Sequence, residues 1–172
     1  MRVLKKFKTL FYFRAMNQKS FTLEEIKQKM ERYCVYQDRC HFEVEQRLRE
    51  YRLIPMAKEE ILLHLMEHDF LNEERFAKSF ARGKFTIKNY GKVRITLELK
   101  RRNISNYNIK TALKEIDPDK YIQVLDSISR RRNETIKETN VYKRRKKLTD
   151  FLLRKGFENH LVYEKVNQLI PI

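Results

Sequence analysis

Apolar residues recur along this chain with a long period. Ile95, Leu99, Ile104, Ile109 and Leu113 reappear, each 53 positions later, as Leu148, Leu152, Phe157, Val162 and Val166. Val44, Leu48 and Leu53 stand 51 positions before the first three of that set, and three extra residues around Pro55 then delay the next partners to Ile61 and Leu65. The pattern predicts three copies of a unit of about 50 residues. Inside each copy the i, i+4 spacing predicts one apolar helix, a short turn and a second apolar helix. Gly156 precedes Phe157 and Asn103 precedes Ile104, and both residue types tolerate the left-handed conformation that ends a helix.

Start and stop signals fill in the rest. Ser20 or Thr22 with Glu25 forms a capping box that opens a helix through Ile26, Met30 and Tyr33. A second helix carries Phe42, Val44 and Leu48, and a third begins at Pro55, where a proline suits the first turn, and carries Ile61, Leu62 and Leu65. Asn72, followed by Glu73 and Glu74, caps a helix with Phe76, Ala77, Phe80 and Ala81 on one stripe. Val93, Ile95, Leu97 and Leu99 alternate as a strand would, but the corresponding segments of the other copies have helical spacing, so a helix is predicted over Lys92–Lys100. Ser105 caps the next helix, Asp117-Pro118 opens one through Tyr121, Val124, Leu125 and Ile128, and Val141–Arg154 and Leu161–Ile170 complete the chain. The expected fold is all-α, three tandem three-helix repeats stacked into an elongated, curved body. Its expected parts are a basic, flexible arm (1–19) and repeats over 20–71, 72–117 and 118–172.

Composition supports helix throughout: three Gly, three Pro and 36% charged residues in 172. The net charge of +16 points to a polyanionic partner. Its distribution says more. Met1–Lys19 carries +6, Ser20–Glu74 carries −5, Arg75–Lys110 carries +10 with Glu98 as its only acid, and Thr111–Ile172 carries +5. The first repeat is thus acidic and the second strongly basic. No apolar stretch approaches the length of a membrane span, and the patch at Leu10–Phe13 is too short for a signal-peptide core, so a soluble cytoplasmic protein is expected. Cys34 and Cys40 make no disulfide framework and are expected to be small buried thiols.

Chemistry-bearing motifs are sparse. His64-Leu65-Met66-Glu67-His68 matches a zinc-protease string. Carried through the repeat, however, His68 falls at the positions of Ile116 and Leu169, which predicts a packing role. No glycine-rich phosphate loop or nucleophile motif is present, so no cofactor, metal site or catalytic residue is expected. The basic clusters remain. Lys100-Arg101-Arg102 and Arg130-Arg131-Arg132 end helices, where cations complement the dipole, whereas Lys143 to Lys147 open one, where they oppose it. Five bases set against a local dipole predict an external anion such as a phosphate backbone. Phe85 and Tyr90 lie among Arg82, Lys84, Lys88 and Lys92 and offer faces for stacking, although aromatics of a repeat are more often core. The candidate nucleic-acid or filament-binding set is Arg82, Lys84, Lys88, Lys92, Arg94, Lys100, Arg101, Arg102, Arg130, Arg131, Arg132, Arg144, Arg145, Lys146 and Lys147.

The stretch Phe70-Leu71-Asn72-Glu73-Glu74-Arg75-Phe76-Ala77 resembles the most characteristic segment of the RecX family of bacterial recombination regulators. The likeness continues through Gly91-Lys92, Ile95, Glu98-Leu99-Lys100 and Ile104 to Lys147-Leu148, Phe151-Leu152 and Lys155-Gly156-Phe157, and covers Thr22–Ile170. It departs where Asp69 and Asn103 replace the family's usual Gly, in the long N-terminal arm and in the turn at Pro55. The resemblance implies a non-enzymatic regulator, three tandem three-helix repeats acting as a monomer. It implies binding to RecA and to RecA filaments on DNA, contact with single- and double-stranded DNA, no membrane association, and inhibition of strand exchange and ATP hydrolysis in DNA repair and the SOS response. The alternative is a stand-alone helical DNA- or RNA-binding protein with no recombinase partner. The acidic first repeat discriminates, since a pure DNA binder gains nothing from it.

Overall fold

The computed structural model describes residues 21–171, so the basic N-terminal segment, with Ser20, lies outside the described residues. Within them the chain forms nine α-helices in three triads. The first comprises α1 (Leu23–Tyr36), α2 (His41–Leu48), which runs into a single 3-10 turn at Arg49–Tyr51, and α3 (Pro55–Glu67). The second is α4 (Glu73–Lys88), α5 (Lys92–Lys100) and α6 (Asn106–Lys114), and the third is α7 (Pro118–Thr135), α8 (Val141–Lys155) and α9 (Asn159–Leu169). No strand occurs among the described residues.

Five of the nine helices among the described residues start at a side-chain cap, and α3 starts at Pro55. The Glu25 N–H donates to Thr22 Oγ1 at 3.2 Å and the Thr22 N–H to Glu25 Oε2 at 2.8 Å, closing the capping box of α1. Asn72, Ser105, Asp117 and Asn140 accept from the backbone N–H of the third helical residue in α4, α6, α7 and α8. Lys92–Lys100 is helical. Ile95 and Leu99 are fully buried while Val93 and Leu97 are 45% and 52% exposed, so the apparent alternation was two core positions and two solvent positions of one helix.

The turn after each second helix is left-handed in all three repeats: φ is 49° at Arg52, 60° at Asn103 and 89° at Gly156. Asp69 and Asn89 adopt the same conformation at the ends of α3 and α4. Asp and Asn accept this region more readily than other side chains, so Asp69 and Asn103 preserve a backbone that glycine would also give.

The core has two parts. Ile26, Met30, Cys34, Val44, Leu48, Ile61, Leu62, Leu65 and Leu71 pack within the first triad. The second and third triads share one continuous cluster, running from Phe76 through Ile95, Leu99, Tyr121 and Leu148 to Ile170. Cys40 joins that second cluster with Phe42 packed against it, so the start of α2 anchors the first triad to its neighbour. Both thiols are free and buried, and burial pushes each up to about 11.

The joint between the second and third triads is made by backbone. Gly91 and Val93, at the start of α5, donate their N–H groups to Lys155 O at 2.8 Å and Gly156 O at 3.0 Å, at the end of α8. The positive end of one helix thus satisfies the negative end of another. The approach is so close that a Cβ on Gly91 would overlap the Gly156 carbonyl, and one on Gly156 would overlap Arg94.

Candidate nucleic-acid interface

The structure divides the candidate basic residues into those held by the protein itself and those left available. Arg102 is held. Its guanidinium donates to Glu98 O at 2.7 Å, meets Glu43 Oε1 of the first triad at 3.4 Å and lies over the Phe80 ring at 4.7 Å. Arg144 and Arg145, from the cluster that opens α8, are held as well. Arg144 donates to Asn133 Oδ1 at 2.9 Å and Asn133 O at 3.1 Å near the end of α7, and Arg145 donates to Ile170 O and Asn167 Oδ1 at the end of α9. Their position against the dipole of α8 therefore has an internal reason: they complement the carbonyl ends of the two neighbouring helices. Their placement against the α8 dipole is thus met inside the protein, without an external anion.

Other candidates form ion pairs. Arg82 meets Glu115 at 3.1 Å, Arg130 meets Asp126 at 2.7 Å, and Lys147 meets Glu138 at 2.7 Å. Glu98, the one acid of the basic block, lies between Arg94 at 3.7 Å and Arg102 at 3.6 Å. Lys100, Arg101 and Lys146 are exposed, and no carboxylate among the described residues lies within ion-pair distance of them. Lys84 rests over Phe80 and Lys92 over Tyr121.

Five bases converge where the second and third triads meet: Lys88, Arg94, Arg131, Arg132 and Lys155. Lys155 Nζ donates to Lys88 O at 2.9 Å, and Arg94 donates to Arg154 O at 2.9 Å, so each terminates the other triad's helix. Arg94 stacks on Tyr90 at 4.0 Å, with Lys155 at 5.7 Å from the same ring, and Arg132 lies over Phe151 at 5.3 Å. Burial, then the charges of Arg94, Arg131 and Lys88, pull the Lys155 ammonium below the usual lysine range. Lys155 was absent from the set read from sequence, and its only signal there was the Lys-Gly-Phe word at the end of α8. Of the two aromatics considered for stacking, Phe85 is core, packed on Tyr121 at 5.8 Å, whereas Tyr90 is partly exposed beneath the cations.

The His64–His68 string has a different geometry from the one anticipated for His68. His68 is exposed at the C-cap of α3, with Nδ1 2.9 Å from His64 O, because Asp69 turns left-handed and Leu71 takes the buried place. His64 Nε2 lies 2.7 Å from Glu31 Oε1 and ties α3 to α1. No three His, Cys, Asp or Glu side chains among the described residues are grouped as a metal would require. No helix among them is long and apolar enough to cross a membrane.

Comparison with known proteins fits this architecture. The second three-helix domain of RecX matches residues 72–113 and the third matches 119–166, together more than half of the chain. Regulatory protein RecX of Bacillus cytotoxicus is 24% identical over 130 residues, covering 76% of this chain and 48% of the relative. Its namesake from Escherichia coli is 29% identical over 99 residues, 58% of each chain. The chain thus spans about half the length of the relatives it matches. The crystal structure of RecX from Lactobacillus salivarius superposes with a TM-score of 0.75 at 21% identity, covering 87% of this chain and 97% of that one. A second crystal structure of regulatory protein RecX gives 0.73 at 20%, covering 94% and 85%. With two of its three helical units matched by the family's own domains and the fold shared with its solved members, the chain belongs to the RecX family.

Proposed function

We propose that this chain is a non-catalytic regulator that binds RecA and the filaments RecA forms on DNA, and that it restrains strand exchange and ATP hydrolysis during DNA repair and the SOS response in the cytoplasm. The observation that carries the reading is the separation of charge onto separate cores. The acidic segment builds the first hydrophobic cluster, and the basic segments build the second. Two surfaces of opposite sign suit two partners, a protein and a polyanion, where a single-partner nucleic-acid binder would gain nothing from the acidic one.

Retention on RecA filaments assembled on single-stranded DNA, compared with retention on the DNA alone and on RecA alone, tests this. Binding to the filament that exceeds binding to the bare strand is the expected result. Glu59 and Glu67 are exposed, and the ion pairs of the described residues do not engage them. Glu59→Lys with Glu67→Lys should therefore weaken filament association while leaving binding to free DNA unchanged or stronger. Equal retention on filament and bare strand, with the double variant indistinguishable from the parent, would favour the stand-alone binder instead.

A further inference from the structure

At the joint of the second and third triads a hollow of about 260 Å³ opens between α7, α8 and the end of α4. It is lined by Arg131, Arg132 and Lys155, by the side-chain amide of Asn89, and by Thr135 and Phe151. We propose that this hollow is a phosphate site that holds one backbone phosphodiester of a nucleic-acid strand; the proposal rests on the reading that the chain contacts nucleic acid.

Three features converge on an anion. No carboxylate among the described residues lies within ion-pair distance of Arg131, Arg132 or Lys155, although ion pairs hold much of the remaining charge. Arg132 is under-used as a donor: its one side-chain hydrogen bond is a long one of 3.4 Å to Thr135 Oγ1, and its Nε is buried without a partner. The cations are also crowded. Lys155 is hemmed by burial and by like charges from three helices, a repulsion that an anion between them would relieve. The half-buried Phe151 ring makes one side of the lining apolar, which strengthens each attraction.

Phosphate fits this arrangement better than carboxylate. A carboxylate holds its two oxygens in one plane, a geometry that matches a single guanidinium fork. A tetrahedral phosphodiester directs its oxygens apart and can meet α7 and α8 donors together. A phosphate contact of this kind positions a strand without reading its sequence.

The test compares two single-charge losses by fluorescence anisotropy with a labelled single-stranded oligonucleotide across a salt series. Arg131 and Lys120 are both exposed and free of carboxylate partners among the described residues, but only Arg131 lines the hollow. Arg131→Ala should weaken binding about tenfold, the worth of one charged hydrogen-bonded contact. It should also flatten the slope of log K against log salt by about 0.7. Lys120→Ala should change affinity less than about twofold, and Arg131→Lys should recover the slope. Backbone amide shifts at Asn89 and Thr135 on titrating the unaltered protein give a second read-out that does not depend on a variant folding. Competition by orthophosphate, and its absence with a polyglutamate peptide, is expected. Equal losses for the two variants would overturn the site in favour of diffuse attraction. Orthophosphate binding with oligonucleotide affinity unchanged in Arg131→Ala would make it a free-anion pocket, and stronger competition by polyglutamate would make it a peptide site; either overturns the proposal. These outcomes leave DNA contact standing, whereas a parent protein that binds no oligonucleotide at low salt removes both readings.

Discussion

Replacing Gly91 by Ala tests the joint on which the second and third triads depend. The added methyl has nowhere to go: it would overlap backbone atoms of Gly156 and Phe157, which cannot rotate aside as a side chain would. Relief requires α5 to back away from the end of α8. That movement lengthens the bonds from the Gly91 and Val93 N–H groups to Lys155 O and Gly156 O, now 2.8 and 3.0 Å. Each group left without a partner costs about 1–3 kcal/mol. Part of that is recovered as water enters, so a loss of about 2–4 kcal/mol is expected, against a typical total of about 5–15 kcal/mol. At this chain length a kcal/mol corresponds to roughly 2–4 °C, which puts the drop in Tm at roughly 5–15 °C. Gly83 supplies the control, because a Cβ there meets nothing and its position is inside α4. Gly83→Ala should stabilise by about 1 kcal/mol through helix propensity alone. Thermal and urea unfolding followed by far-UV circular dichroism measures both. A Gly91→Ala protein melting within a degree of the parent would refute the head-to-tail joint.

The repeat, the helices and their caps were legible in the sequence because each rests on short-range signals: i, i+4 spacing, a Thr or Asn ahead of an acidic turn, a proline at a first position. The left-handed turn after α2 was not legible, since Arg52 carries no conformational signal where Asn103 and Gly156 do. The same limit applied to His68, which moved from core to surface because the end of α3 was set by Asp69 rather than by the repeat register. The candidate site was only partly readable. A run of bases shows how much charge is present, but whether a guanidinium faces solvent or a neighbouring helix end depends on contacts such as Arg144 to Asn133, 11 residues away, and Arg145 to Ile170, 25 residues away. Lys155 entered the site through Lys88, 67 residues distant, beyond the reach of any local pattern.

Further outcomes follow from the same contacts. Leu99→Ala and Leu152→Ala, at fully buried equivalent positions, should each cost about 2–5 kcal/mol in urea unfolding. Arg144→Ala should lower stability by about 1–2 kcal/mol, well beyond an exposed lysine such as Lys146→Ala, because it removes two hydrogen bonds to Asn133. Arg52→Gly should raise stability by about 0.5–1 kcal/mol, as glycine adopts φ of 49° without the Cβ penalty. Cys34 and Cys40, raised from 9.0 to about 11, and Tyr121, raised by burial and by its hydrogen bond to Glu158, hold protons more tightly folded than unfolded. The contribution of the two thiols is complete below pH 9 and is lost as pH rises through about 11, while that of Tyr121 persists to higher pH, so the urea midpoint should fall over that window, and the native thiols should react slowly with iodoacetamide at pH 8. His64→Ala with His68→Ala should leave DNA binding unchanged and lower stability through the lost contact to Glu31, with stoichiometric zinc in the parent as the contrary result.

The joint and the basic hollow are one device seen from two sides. Gly91 and Gly156 let α5 and α8 meet end to end, and that meeting brings Lys155 to Lys88 O and Arg94 to Arg154 O. The carbonyl ends of two helices contribute roughly one negative charge between them, less than the positive charge gathered there. The surplus is what gives the hollow its affinity for an anion, and its geometry is fixed by a backbone contact rather than by flexible lysines. The first triad is attached differently. It keeps its own core and reaches the second through Cys40 and Phe42 and through the Glu43–Arg102 and Asp38–Arg75 pairs on either side. Such a boundary is more polar than the one between the second and third triads, and polar boundaries yield before shared cores do. The ion pairs of the first boundary share no residue with the Gly91–Lys155 joint or with the hollow, so losing them leaves the geometry of the hollow in place.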